Sequence, residues 1–207
     1  MRVSGMKIGI LVCLTFVAIQ LPAVAAPVDG QPLSCNPMEI YDRLLPTTLD
    51  IEDAKGADEV IVIQFIPGDT SLEREYRIKI RIMTNGKILA TRIDPVGSSI
   101  GEQFRKAQDR APNATCETWL HDIKLGTRQF EDQSKLRSIL KSLNVISVPA
   151  RLPSAFYIDA ARYDIEIWEK MNRIHVTVYD ARDSGAPRLI SWAKHTAAIL
   201  GGPGAAR

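Results

Sequence analysis

Gly97-Ser98-Ser99-Ile100-Gly101 fits the pattern G-x-S-x-G. In a serine hydrolase that pattern is a strand-to-helix turn that lifts the serine hydroxyl, here that of Ser99, above a sheet. An acid and a histidine complete such a site, and Asp159, Asp164 or Asp180 with His175 or His195 supply the residue types in the required order. The surroundings argue against it. An antiparallel hairpin pattern precedes the glycine, Asp94-Pro95 interrupts the strand, and no later run of strand–helix units offers the parallel sheet an elbow needs. The competing use of Ser99 is a cap at a helix N-terminus. A serine hydrolase acting through Ser99 is therefore the alternative reading, and a protein without catalytic machinery the leading one.

Other chemistry-bearing residues are sparse. His121, His175 and His195 show no H-x-x-x-H or H-x-E spacing, so neither a metal nor another cofactor is expected. His175 lies on an alternating strand, near Glu166 or Trp168 according to register, which reads as a solvated histidine–glutamate pair. Arg77, Lys79, Arg81 and Arg92 alternate with apolar residues and fall on one side of a hairpin. Such a stripe suits an anionic envelope component or an acidic protein. No aromatic residue interleaves the charges, so nucleic acid is not expected. Asn113-Ala114-Thr115 fits the N-glycosylation sequon, which has a consequence only in a eukaryotic secretory route.

The first 25 of the 207 residues have a composition of their own. Arg2 and Lys7 precede an apolar run from Ile8 to Ile19, and Ala23-Val24-Ala25 follows as a small-x-small site. That order predicts a secretory signal peptide over 1–25, with an apolar stretch too short to favour a membrane span. The 26 basic residues less Arg2 and Lys7 balance the 24 acidic ones, so the exported chain is close to neutral. Cys13 lies in the signal, leaving Cys35 and Cys116, which are expected to pair in an oxidising compartment. The expected location is periplasmic or secreted.

The elements that would carry these residues are legible in part. Tyr76–Asp94 alternates around Asn85-Gly86, which predicts a hairpin with a two-residue type I′ turn. In that register Ile78, Ile80 and Ile82 look inward with Leu89, Thr91 and Ile93, and the basic residues look outward. Val60–Ile66, apolar except for Gln64, predicts a strand buried on both faces at the centre of a sheet. A second hairpin spans Ala160–Asp180 with its turn in Glu169–Asn172; a four-residue loop puts Ile165 opposite Val176 and Ile167 opposite Ile174, and a two-residue loop shifts the partners but keeps the faces. Helices are expected after Asn36-Pro37, over 102–110, over 132–144 with Leu136, Ile139, Leu140 and Leu143 on one stripe, and over 189–200. Trp119–Leu125 reads as a strand or an ordered loop. The order predicts an α+β fold, with an antiparallel sheet built from two β-hairpins plus a central strand and amphipathic helices on one face. A loose N-terminus over 26–34, one domain over 35–201 and a frayed tail over 202–207 complete the division.

Residues 130–200 resemble a loosely defined set of uncharacterised exported bacterial proteins. The features that carry the likeness are the amphipathic helix at Leu136–Leu143, the pair Leu152-Pro153, the strand Tyr163-Asp164-Ile165-Glu166 and the closing helix to Leu200-Gly201. The resemblance implies export but no activity and no site residues. The whole reading is an exported, non-catalytic binding or envelope-associated accessory protein, not membrane-spanning once its signal is removed.

Overall fold

An all-antiparallel sheet organises the chain, and its strand order follows from which segments must hide both faces. The computed structural model describes residues 35, 37–47, 55–68, 73–144, 146, 160–169, 172–181 and 185–201. The expected signal peptide, the loose N-terminus and the frayed tail lie outside them. Among the described residues there are six strands: β1 Ala57–Ile66, β2 Tyr76–Met83, β3 Ile88–Pro95, β4 Leu125–Phe130, β5 Arg162–Glu169 and β6 Asn172–Tyr179. They lie in the order β4-β3-β2-β1-β5-β6. β1 is central, as its unbroken apolar run requires: every residue from Val60 to Ile66 is buried. The α+β class and the antiparallel sheet are as expected, with β4 added beyond the two hairpins and the central strand.

Among the described residues five helices accompany the sheet: α1 Pro37–Leu44, α2 Ile100–Arg110, α3 Cys116–His121, α4 Gln133–Leu143 and α5 Pro187–Gly201. α4 starts on Asp132, whose carboxylate accepts from the amides of Ser134 and Lys135 at 3.1 and 3.2 Å. It buries Leu136 and Ile139, while α5 buries Leu189, Trp192, Ala193 and Leu200. Both helices pack against Ile61, Ile63, Phe65, Ile78, Ile80, Tyr163 and Ile165, the alternate residues that form one face of β1, β2 and β5. The Trp192 indole donates to the Ile139 carbonyl at 3.0 Å and ties the two helices together.

The expectation of helices on a single face holds for α4 and α5 and is corrected for the rest. A second cluster unites Ile40 and Leu45 of the α1 region, Ile100 and Phe104 of α2, and Cys116 of α3. Ile93 and Leu125 pack against it, and alternation puts both on the opposite face of the sheet. The Cys35–Cys116 disulfide, with Cα atoms 5.8 Å apart, joins the start of this cluster to α3 across 81 residues of sequence. Trp119, read as a strand or loop residue, lies in α3, where its indole meets Phe104 edge-on and donates to the Ala111 carbonyl at 2.9 Å.

The first hairpin corrects the expected turn. The Gly86 amide donates to the Met83 carbonyl at 2.7 Å, so Thr84 and Asn85 are the central residues and Gly86, at φ +76°, closes a three-residue loop. This is a type I turn with a bulged glycine rather than a type I′ turn. Asn85 stabilises it locally, its Oδ1 accepting from the Lys87 amide at 3.0 Å. The extra loop residue displaces the partner strand by one. Ile80 faces Ala90, Ile78 faces Arg92 and Ile82 faces Ile88. β3 therefore turns Ile88, Ala90 and Arg92 toward α4 and α5, and Leu89, Thr91 and Ile93 away from them.

Candidate functional site: the polar face of the sheet

The face opposite α4 and α5 carries most of the sequence-selected residues. Its floor is the alternate row Val60, Val62, Gln64 and Ile66 of β1. On one side β2 places Arg81, Lys79 and Arg77 opposite the first three of these. On the other, β5 places Trp168, Glu166, Asp164 and Arg162 opposite all four. β6 extends the rows with Arg173, His175, Thr177 and Tyr179. The second hairpin takes the first of its two expected registers, Ile165 against Val176 and Ile167 against Ile174, and so delivers Glu166 rather than Trp168 to His175.

Glu166 is fully buried, and a buried carboxylate persists only where cations and donors replace its water. The Arg173 Nε lies 2.8 Å from its Oε1, and Nη2 donates to Oε2 at 3.1 Å. The Trp168 indole also donates to Oε1, and the Arg173 guanidinium sits 5.1 Å from the centre of that indole. Asp164, 4% exposed, has the Arg162 Nε at 2.5 Å and accepts from the Thr177 hydroxyl at 2.5 Å. His175 stands between the two carboxylates, with Nδ1 3.6 Å from Glu166 and Nε2 4.0 Å from Asp164. The solvated histidine–glutamate pair is thereby corrected: the histidine is exposed and the glutamate is not.

His175 has a carboxylate on Nδ1 and the Thr177 hydroxyl 3.3 Å from Nε2, the order of an acid–histidine–hydroxyl relay. The Thr177 proton, however, is given to Asp164, which directs it away from the imidazole. The same three residues thus work as cross-strand pairing between β5 and β6. Among the described residues no group of histidine, cysteine, aspartate and glutamate is arranged to hold a metal ion.

The basic stripe is split by the one-residue displacement in the first hairpin. Lys79 and Arg81 remain part-exposed on the polar face. Arg77 is on the same face but only 6% exposed. Arg92 is corrected to the helix-covered face, where it is 7% exposed. There its Nε bonds Asp94 at 2.7 Å, its Nη1 donates to the Ala197 carbonyl at 2.6 Å, and its guanidinium lies 4.5 Å from the centre of the Tyr76 ring. Arg92 belongs to the packing of α5 and not to a surface for anions.

Ser99 is the N-cap of α2. Its hydroxyl oxygen accepts from the Glu102 amide at 3.2 Å, after Gly97 has turned the chain at φ +82°. Gln103 fixes this turn by donating to the carbonyls of Val96 and Ser98 at 3.1 and 2.9 Å. The buried carboxylate of Glu75 receives the Ile100 amide at 3.3 Å and the Tyr41 hydroxyl at 3.2 Å, which locks α1 to the start of α2. Burial first, and Glu75 second, push the Tyr41 phenol well above its usual range. The preceding strand, β3, is antiparallel to both its neighbours. Of the triad partners, Asp159 lies outside the described residues. Asp180 is paired with Lys194 at 2.6 Å, and His195 is exposed on α5 over the other face of the sheet. Among the described residues none of these hydrogen-bonds Ser99.

Sequence reasoning placed Asp164 and Glu166 on an outward face and missed that they are buried. The available signal was Arg162 two residues before Asp164 and Arg173 diagonally across the hairpin from Glu166, cations placed to take up each carboxylate. Comparison with protein-family models, curated proteins and solved structures finds no match to this chain.

Proposed function

We propose that this protein is an exported, non-catalytic binding or envelope-associated module. The observation that carries the reading is the Cys35–Cys116 disulfide, which closes the helical cluster on the polar face of the sheet. The N-terminal pattern of Arg2, Lys7, an apolar run and Ala23-Val24-Ala25 supports export to a compartment where such a bond persists. Among the described residues no helix is long and apolar enough to cross a membrane. The reading sets the chain beside the uncharacterised exported bacterial proteins that residues 130–200 resemble.

Lys79 and Arg81 are the part of the basic stripe that stays part-exposed on the polar face, where an anionic envelope component or acidic protein would meet it. The hydroxyl of Ser99 caps a helix, and the acid–histidine contacts of the polar face join strands, so binding fits the geometry better than hydrolysis. The test is fractionation of cells expressing the full chain with a C-terminal tag. Release by osmotic shock or into the medium, at a mass lacking residues 1–25, is expected. Full-length protein retained in the cytoplasm with Cys35 and Cys116 both alkylatable would overturn it.

A further inference from the structure

Charge is unevenly distributed over the fold. The exported chain balances acidic against basic residues, yet α4 and α5 contain no aspartate or glutamate. They carry Lys135, Arg137, Lys141, Arg188 and Lys194, all of them exposed. Both helices pack on one face of the sheet, so the residues they turn away from it share an outer surface. On α4, Arg137 and Lys141 alternate with exposed Ser134 and Ser138 at helical spacing, and on α5 Arg188 and Lys194 alternate with exposed Ser191 and Ala198. Two acids outside the helices take up part of this charge, Asp132 lying 3.5 Å from Lys135 and Asp180 2.6 Å from Lys194. Arg137 makes one long bond, 3.4 Å to the Gly86 carbonyl. Among the described residues Arg137, Lys141 and Arg188 have no acidic partner. The polar face differs, because there Arg162 and Arg173 are held by buried carboxylates.

We propose that the outer surface of α4 and α5 is a docking face for an anionic phospholipid bilayer. Two helices about 16 and 22 Å long, packed together, present a broad and low surface rather than a groove. Its background of serine and alanine is short, so the long cationic side chains are the first to meet a flat partner. Among the described residues the exposed large apolar side chains are Val96 and Ile174, and neither lies on these helices. The face therefore lacks the apolar centre of a protein–protein interface. Trp192, the aromatic residue of the two helices, is buried, so bases have nothing to stack on. Attraction of cations to a dense array of lipid phosphates needs neither. The proposal goes beyond the functional reading: it requires neither export nor an anion at Lys79 and Arg81.

Vesicle flotation tests it, using the protein as cells expressing the full chain yield it. The vesicles are phosphatidylcholine alone, or with about one part in three of phosphatidylglycerol. Each unpaired cation near an anionic surface is worth about fivefold in partition, so at low salt the anionic vesicles should be preferred roughly a hundredfold. Salt at about 1 M, where the screening length is about 3 Å, should abolish the preference. Arg137→Gln with Lys141→Gln and Arg188→Gln should bring it within about fivefold. If that variant does not fold, Lys141→Gln with Arg188→Gln should still reduce it about twentyfold. Any retained apolar run Ile8–Ile19 is common to all variants and cancels from the comparison. Equal binding to both vesicles, or a wild-type preference in the folded helix variants, would overturn the proposal. Loss of the preference in Lys79→Gln with Arg81→Gln, but not in the helix variants, would place the anion on the polar face and also overturn it. Soluble polyglutamate held more tightly than the anionic vesicles would overturn it in favour of an acidic protein.

Discussion

Arg92 reaches from β3 to the last turns of α5, where its Nη1 donates to the carbonyl of Ala197 at 2.6 Å. The bond joins residues 105 positions apart and exists because the loop Thr84-Asn85-Gly86 turns Arg92 under the helix. Asp94 completes it, holding Arg92 at 2.7 Å and Arg128 at 2.7 Å, while Arg128 in turn donates to the Gly201 carbonyl. Two cations thus meet carbonyls of the final helical turns, the end at which the helix dipole favours positive charge.

Arg92→Leu should remove this anchor. It leaves the Ala197 carbonyl without its donor and Asp94 with one cation fewer, for an expected loss of about 2–3 kcal/mol. Arg81→Ala, part-exposed on the polar face, should stay within about 0.5 kcal/mol. Urea unfolding of both variants beside wild type makes the comparison. A similar small effect for the two would mean that Arg92 does not carry α5.

The register of the first hairpin can be read from one adjacent pair. Ile88, 3% exposed, faces α4 and α5, whereas Leu89 faces away and is part-exposed. Ile88→Asp buries an unpaired charge and should cost several kcal/mol, on the order of a marginal domain's whole stability. Leu89→Asp should cost clearly less. Thermal melts of the two variants decide, and the reverse order would restore the two-residue turn.

The disulfide closes a loop spanning 81 residues of separation. In the chain-entropy model a loop of that size contributes about 4–5 kcal/mol. Cys35→Ser with Cys116→Ser should therefore lower the urea midpoint strongly, and dithiothreitol should do the same to wild type but not to the double variant. An identical midpoint in all three samples would rule the contribution out.

Three buried phenols predict a loss of stability at alkaline pH. Burial is the first cause that raises Tyr41, Tyr76 and Tyr163 above the usual tyrosine range. Glu75 acts next on Tyr41, and the Tyr76 hydroxyl acts next on Tyr163. At Tyr76 the Arg92 cation opposes the shift without cancelling it. A folded-state value above the unfolded one means that stability is fully present below the unfolded value. It is then lost as pH rises from about 10. Each such tyrosine steepens the loss by up to about 1.4 kcal/mol per pH unit. Urea midpoints between pH 8 and 11 should fall, and Tyr76→Phe with Tyr163→Phe should flatten the decline. An unchanged slope in that double variant would show that these phenols do not couple to folding.

The strands that bury an unambiguous pattern were legible from sequence. Val60–Ile66 is apolar on both faces, so it had to be central, and it is. β5 and β6 alternate cleanly, and inverting β5 would move Asp164 and Glu166 into the aliphatic core while inverting β6 would move Arg173 and His175 there, so their faces were fixed locally. The stripe of α4 and the apolar face of α2 were likewise complete within a few turns. The cysteine pair followed from the compartment implied by the leader pattern, and the structure joins it.

Tertiary structure decided what local pattern left ambiguous. β3 has apolar residues on both sides, Ile88 and Ala90 on one and Leu89 and Ile93 on the other, so either register buries something. The choice belonged to the three-residue turn and to two separate clusters, one under α5 and one around Ile100 and Phe104 that takes Ile93. β4 is apolar only at its ends and exists because β3 offers it an edge to pair with. The basic stripe was divided for the same reason. Arg77, Lys79 and Arg81 follow the face of β2, but the face of Arg92 depends on a pairing across the turn that no local period contains.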